Sequence, residues 1–242
     1  MDLLNEGLFN KGALKAVFMA GGPGSGKSYV AAQLFGIPKK INVSVSGMKS
    51  VNSDTEFEYL LKKYGFETVG GGLDIDLWPD DVFQMVAVGD EDSKDPSLRK
   101  YAKMMTKSRR EQYMNGRLGM IIDGTGHDYA KLSKEKVQLE KLGYDCFMVF
   151  VNTSLKVALE RNANRPRKLP TDIVKNYWND CQQNLGKFQS MFGASSMLIV
   201  DNSKYQDFPN QVKKAAAEFV RRPIQNPTAK AWIKKELELK KS

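Results

Sequence analysis

The chain has only two cysteines, Cys146 and Cys181, in 242 residues. Both stand in apolar or helical contexts and read as buried reduced thiols, which excludes a disulfide scaffold and points to a reducing compartment. No apolar run approaches the ~20 residues that span a bilayer. The opening Met1-Asp2-Leu3-Leu4-Asn5-Glu6 lacks a basic stretch followed by an apolar one, so no secretion signal is read there. The expectation is a soluble cytoplasmic protein with no membrane partner. Internal repeats and low-complexity tracts are also missing. Histidine occurs once, as His127.

Charge is plentiful but uneven. The net charge is +9. Residues 204–242 carry ten Lys/Arg against four Asp/Glu, whereas residues 66–100 carry nine Asp/Glu against three Lys/Arg. A basic total is compatible with nucleic acid. The tail could equally be neutralised by the acidic stretch of the same chain, so the total charge selects no partner.

A 41% hydrophobic content over this length suffices for one sizeable α/β core. Continuous apolar runs predict five strands, at 15–20, 48–52, 118–123, 146–151 and 197–201, each buried on both faces. Helical patterns lie between them. One over 28–35 stops at Gly36, and one over 54–64 stops at Gly65. A third over 96–115 takes Asp95 as N-cap and Pro96 at its first position, with Leu98, Tyr101, Ala102 and Met105 on one face. A fourth covers 128–142. Strand–helix alternation predicts crossover units and a parallel sheet, hence a three-layer α/β/α domain over 1–203. Residues 66–95 read as an acidic insertion and 161–170 as a lid. Residues 204–242 read as an extension with helices at 209–220 and 229–239, packed on the same domain.

Gly21-Gly22-Pro23-Gly24-Ser25-Gly26-Lys27-Ser28 fits G-x-x-x-x-G-K-[ST] at every fixed position, between a strand and a helix. Chance would produce the match in on the order of one chain in a hundred of this length, before context is required. Glycines let backbone N–H groups turn inward around a polyphosphate, and the helix adds its N-terminal partial charge. Lys27 is placed for the β- and γ-phosphates of ATP, and the Ser28 hydroxyl for Mg²⁺. Tyr29, next in the chain, joins the expected nucleotide-binding set. Met120-Ile121-Ile122-Asp123 ends an apolar strand in a carboxylate that can hold the same Mg²⁺ or merely cap a turn.

Asp54 follows strand two, on the edge where open parallel sheets bind ligands, and can accept a hydroxyl proton there. Equally, Ser53-Asp54-Thr55-Glu56 is a capping box, with Ser53 as N-cap and Glu56 at N3. Arg161 and Arg165, four apart, share a helix face. On a movable segment they can close over ATP and neutralise charge on the transferred group. The same run could be a solvated basic surface. His127 can contact an acceptor or serve as a loop residue. Tyr177 and Trp178 read as helix packing rather than as a base-stacking platform.

These features together resemble the P-loop kinases of the phage polynucleotide 5′-kinase and zeta-toxin group. The resemblance rests on the Gly-x-Pro-Gly-Ser-Gly-Lys-Ser loop, Asn52-Ser53-Asp54, Ile122-Asp123-Gly124-Thr125, and Arg161-Asn162-Ala163-Asn164-Arg165 followed by Pro170-Thr171-Asp172-Ile173. It covers about 15–201, poorly over 67–94. It implies a P-loop kinase fold, Asp54 as general base and Arg165 as transition-state cation. Neither acceptor signature is complete. Phe57 stands where polynucleotide kinases of this type carry an Arg, and His127 where zeta toxins carry one. Asp74-Ile75-Asp76 lacks the Gly-Thr of the phosphatase domain that accompanies some relatives. The expected activity is γ-phosphate transfer from ATP to a hydroxyl, first choice the 5′-OH of a polynucleotide. The alternatives are a zeta-toxin-like or nucleotide kinase, and an ATP-driven switch.

Overall fold

Five short runs rich in Val, Ile, Phe and Met pair into a single sheet: β1 (Lys15–Ala20), β2 (Lys49–Val51), β3 (Met120–Asp123), β4 (Asp145–Asn152) and β5 (Met197–Asp201). All pairings are parallel, in the order β2-β3-β1-β4-β5. The computed structural model describes residues 10–38, 42–65, 86, 97–164, 168–204 and 208–240. The insertion expected at 66–95 therefore lies outside the described residues apart from Val86, as do lid positions 165–167.

Eight α-helices occur among the described residues: α1 (Lys27–Phe35), α2 (Ser53–Lys63), α3 (Leu98–Asn115), α4 (Tyr129–Lys141), α5 (Leu155–Ala163), α6 (Thr171–Phe192), α7 (Asn210–Arg221) and α8 (Pro227–Leu239). Period-2 alternation in the strands divides the core in two. Ala16, Phe18 and Ala20 of β1 pack with Leu132 and Leu139 of α4, Cys181 and Phe188 of α6 and Ala229 of α8. Val17 and Met19 pack with Val30 and Phe35 of α1 and with Ala216 and Phe219 of α7. This is an α/β fold of the P-loop kinase type, with helices on both faces of a five-stranded parallel sheet. A separate cluster fastens α2 to α3 through Phe57, Leu60, Leu61, Leu98 and Ala102.

Local chemistry moved several boundaries. The cap of α2 is Asn52 rather than Ser53. Its extended backbone (φ −143°, ψ 120°) suits a cap, and its side chain accepts from the Asp54 amide at 2.8 Å. Glu56 does not close a capping box; it is buried against Arg109. Helix α3 starts at Leu98, capped by Ser97, whose Oγ accepts from Lys100 N at 3.2 Å. Asp95 and Pro96 lie outside the described residues. Tyr101, expected on the apolar face of α3, is 43% exposed because only Leu98, Ala102 and Met105 reach the α2 cluster.

One buried ion pair binds the end of the chain to the sheet. Lys15 Nζ lies 3.3 Å from Asp145 Oδ2 and donates to the Arg222 carbonyl at 2.7 Å. The Asp145 carboxylate also accepts from the Gln225 and Asn226 amides, both at 2.9 Å. Burial pulls the Lys15 ammonium below its ordinary value, and Asp145 pulls it partly back. Removing one partner of such a pair leaves the other charge uncompensated. Asp145→Ala should therefore lower unfolding free energy by ~3–5 kcal/mol, read from the denaturant midpoint. A loss within ~1 kcal/mol, the range of a surface pair, would show that the linkage contributes little.

Candidate phosphate and acceptor site

Beyond Ala20 the chain enters the Gly21–Gly26 turn and then α1. Two of its glycines are required by close neighbours. At Gly21 (φ +147°) an added Cβ would stand 2.4 Å from the Val151 carbonyl oxygen. At Gly24 (φ +76°) it would stand 2.4 Å from that of Ala158. The loop is thus wedged between β4 and α5. Across it, Lys27 Nζ donates to the carbonyls of Gly21 (3.0 Å) and Gly22 (3.3 Å). Arg161, in the last turn of α5, directs Nη1 at the Gly24 and Ser25 carbonyls, 3.5 and 3.4 Å away. Arg165 lies outside the described residues.

Two supports were not read from the sequence. Asn202, just past β5, donates Nδ2 to the Ser25 carbonyl at 2.7 Å. Its location at the carboxyl end of a strand was the available signal. Trp178 packs against Gly22 and donates Nε1 to the Thr153 carbonyl at 2.8 Å. The indole therefore buttresses the loop rather than only packing its own helix. Among the described residues, Ser25 Oγ is fully buried without a hydrogen-bond partner, so the loop retains unused polar capacity.

Asp123 ends β3 level with Met19 of β1, directly beside the strand that feeds the loop. Asn52 Nδ2 donates to Asp123 Oδ2 at 3.0 Å, tying the ends of β2 and β3 together. Ser28 and Tyr29 lie exposed in the first turn of α1, with the Tyr29 ring 6.1 Å from that of Phe208. Among the described residues no cluster of three or more His, Cys, Asp or Glu could hold a metal. A hydroxyl and one carboxylate do fit Mg²⁺, which keeps most of its waters.

Asp54, on the first turn of α2, forms an ion pair from Oδ1 to Arg99 Nη1 at 2.8 Å. The Arg99 guanidinium also lies 5.1 Å from the centre of the Phe57 ring. A cation thus covers the position where the resemblance expected an arginine, supplied by α3 rather than α2.

His127 stacks face to face on Tyr177, with centroids 4.1 Å apart and planes 3° apart, and its Nδ1 contacts the Thr125 hydroxyl. Asn184 of α6 donates to the Gly126 and His127 carbonyls. The thiol of Cys181 donates to the Thr125 carbonyl, and Gly21 N donates to that same oxygen at 3.2 Å. Helix α6 therefore fixes the loop after β3 against the phosphate loop.

A cleft of about 410 Å³ opens beside these residues, between α3 and α4. Asp123, Gly124 and Thr125 line it, together with the buried Phe18, Ile122 and Leu132. Its α3 wall carries Lys103, Thr106, Lys107 and Arg110.

Burial pushes the Cys181 thiol from 9.0 up to about 12, with Lys27 opposing the rise. A raised folded-state value stabilises the fold fully below about pH 9, and the contribution is lost as pH climbs toward 12. Cys181 should consequently alkylate more than ~100-fold more slowly at pH 8 in the native chain than in urea. Peptide mass mapping over time checks this, and comparable rates would mean that the α6 contact with Thr125 opens readily.

Residues 17–187 match the AAA domain family. No curated protein matches the chain. Among solved structures, the AvrRxo1-ORF1:AvrRxo1-ORF2 complex with sulphate ions is similar at 12% identity and a TM-score of 0.53, over 83% of this chain and 60% of that one. The same complex with ATP gives 13% identity and a TM-score of 0.53, over 83% and 61%. This chain thus covers about three fifths of the length of those proteins. The PezAT toxin–antitoxin system of Streptococcus pneumoniae gives 13% identity over 93% of this chain and 86% of that one, with a TM-score of 0.47. With most of its length inside the matched region, the chain belongs to the AAA domain family, on an α/β fold of the P-loop kinase type.

Proposed function

We propose that this protein is an ATP-dependent kinase that transfers the γ-phosphate to a hydroxyl acceptor. The observation that carries the reading is the convergence of three groups on one sheet edge. The Gly21–Ser28 loop follows β1, Asp123 ends the adjacent β3, and Asp54 follows the next strand, β2. A nucleotide polyphosphate on the loop would lie beside a carboxylate for Mg²⁺ and one strand from a second carboxylate for the acceptor. The similar complex solved with ATP supports that choice of nucleotide.

Lys27 holds the β- and γ-phosphates, and the backbone amides of the loop orient them. Ser28 and Asp123 would hold Mg²⁺, which supplies charge neutralisation on the phosphate oxygens. Asp54, oriented by Arg99, accepts the hydroxyl proton as the acceptor oxygen bonds to the γ-phosphorus and the bond to the ADP oxygen breaks. Arg161 and Arg165 balance the charge that develops on the transferred group.

The first-choice acceptor is a polynucleotide 5′-OH. A second reading, a nucleotide-like small molecule, is favoured by the bounded size of the 410 Å³ cleft. An ATP-driven switch has no need of a proton acceptor at Asp54.

γ-Labelled ATP offered with 5′-OH DNA, 5′-OH RNA, nucleoside monophosphates and UDP-sugars tests the activity and its acceptor. Lys27→Ala should abolish label transfer in a folded protein, and preserved turnover would refute the assignment. Asp54→Asn keeps the shape of the side chain but removes the base. Its transfer rate should fall ~10²–10⁴-fold with little change in ATP affinity or melting temperature. Retention of more than about a tenth of the wild-type rate, outside that range, would favour the switch.

A further inference from the structure

The opposite end of the sheet holds a pocket that the kinase reading does not use. Its volume is about 350 Å³, within the size range of small-molecule sites. It is walled by the segment entering β1, by Gly116 and Arg117 ahead of β3, by the end of α7 and by α8. The six residues of β1 run from this pocket to the phosphate loop, which sets the two roughly 20 Å apart.

Charge in the lining is one-sided. Among the described residues Lys11, Lys15, Arg117, Arg221, Arg222 and Lys240 line the pocket against one carboxylate, Glu236. Lys15 is answered by Asp145. Lys11, Arg117, Arg221 and Arg222 have no carboxylate within 4.0 Å among the described residues. Arg222 is half-buried, and its Nε is buried with no hydrogen-bond partner among those residues. Its guanidinium lies 5.5 Å from the centre of the Phe219 ring, and the Lys15 ammonium lies 5.0 Å from that same centre. Two cations thus share one ring. Burial holds the Lys15 ammonium below its ordinary value, and the Arg222 charge presses it the same way. A bound anion would offset that repulsion.

The other side of the pocket is apolar and fixed. Ile224, Trp232 and Ile233 line it. The half-buried Arg117 lies 5.6 Å from the centre of the Trp232 ring and donates Nη1 to the Leu142 carbonyl at 3.0 Å. Arg117 and Leu14 are the non-glycine residues with positive φ among the described residues, both at 55°. The Leu14 amide donates to the Arg117 carbonyl at 3.0 Å. Side chains rarely adopt that backbone, and it persists where the surroundings over-determine it. Both instances fall in the wall of this one pocket.

We propose that this pocket is a second ligand site, for a small organic phosphate with a flat apolar body. Arg222, with Arg221 and Lys11, holds the phosphate, and Trp232 and Ile233 take the body. Phosphate suits the set because its oxygens can meet two guanidinium forks and an ammonium at once. The ligand is neither phosphate donor nor acceptor, since Lys27, Asp54 and Asp123 line no part of the pocket. The proposal does not rest on the kinase reading.

The test is calorimetric titration of the full chain with phenyl phosphate, a probe that has no hydroxyl to accept a phosphoryl group from ATP. The titration is run with and without a non-hydrolysable ATP analogue and Mg²⁺ saturating the phosphate loop. Phenyl phosphate should bind equally in both, and at least ~10-fold more tightly than phenol or inorganic phosphate. Tryptophan emission should change on binding, and Trp232→Phe should remove that change. Arg222→Gln should weaken the probe at least ~10-fold at an unchanged melting temperature. Lys11→Gln with Arg221→Gln alters only exposed side chains, should weaken it likewise, and decides the matter if Arg222→Gln does not fold. Displacement of the probe by the ATP analogue would place it on the phosphate loop and overturn the proposal. Absence of binding, affinity no better than that of phenol or inorganic phosphate, or wild-type affinity in the folded variants would overturn it too. An oligothymidylate that binds through Arg222 more tightly than phenyl phosphate would instead assign the basic lining to a nucleic-acid strand.

Discussion

Two carbonyl oxygens, one at Val151 and one at Ala158, stand 2.4 Å from where side chains would begin at Gly21 and Gly24. The phosphate loop can only pass there as bare backbone. This tight passage fixes the course of the loop from outside, and Lys27 Nζ braces it from within at the Gly21 and Gly22 carbonyls. The loop is held by β4 on one side, α5 on another, the Trp178 indole over Gly22 and the Asn202 amide beneath Ser25. A loop so enclosed loses little further entropy when it takes up a polyphosphate. It also explains why Arg161 can aim at the loop carbonyls from the last turn of α5, a helix fixed by contact with the loop itself.

The rest of the edge is organised by short polar links between neighbouring elements. Asn52 caps α2 with its oxygen and donates to Asp123 with its amide nitrogen, so one side chain sets both the start of α2 and the orientation of the β3 carboxylate. Arg99 joins Asp54 to α3 while lying over the Phe57 ring. Cys181 and Asn184 tie the residues after Asp123 to α6. These links make α3 and α6 the walls of the site, and α3 brings its row of cations with it. At the opposite end of the sheet, the buried Lys15–Asp145 pair and the Gln225 and Asn226 amides fasten the connection between α7 and α8. Both layers of the core are thereby closed by the end of the chain.

Sequence alone determined the fold class, because continuous apolar strands alternating with amphipathic helices leave a parallel three-layer sheet as the way to bury both patterns. It determined the phosphate loop as well, since the conformational demands of that loop are met by its own glycines and by the strand and helix that flank it. The ends of elements were less legible. Asn52 and Ser53 are both good caps, and only the length of β2 and the neighbouring Asp123 select between them. Tertiary structure decided whatever depends on residues distant in the chain. The partner of Asp54 is one such case: Arg99, 45 residues on, reaches its carboxylate from α3. Asn202 and Trp178 carry no motif, and they become part of the site because β5 and α6 deliver them to the loop. Lys103, Thr106, Lys107 and Arg110 of α3 carry no motif either, and they line one cleft with Leu132 of α4 only because the sheet sets the two helices side by side, a neighbourhood that local sequence cannot encode.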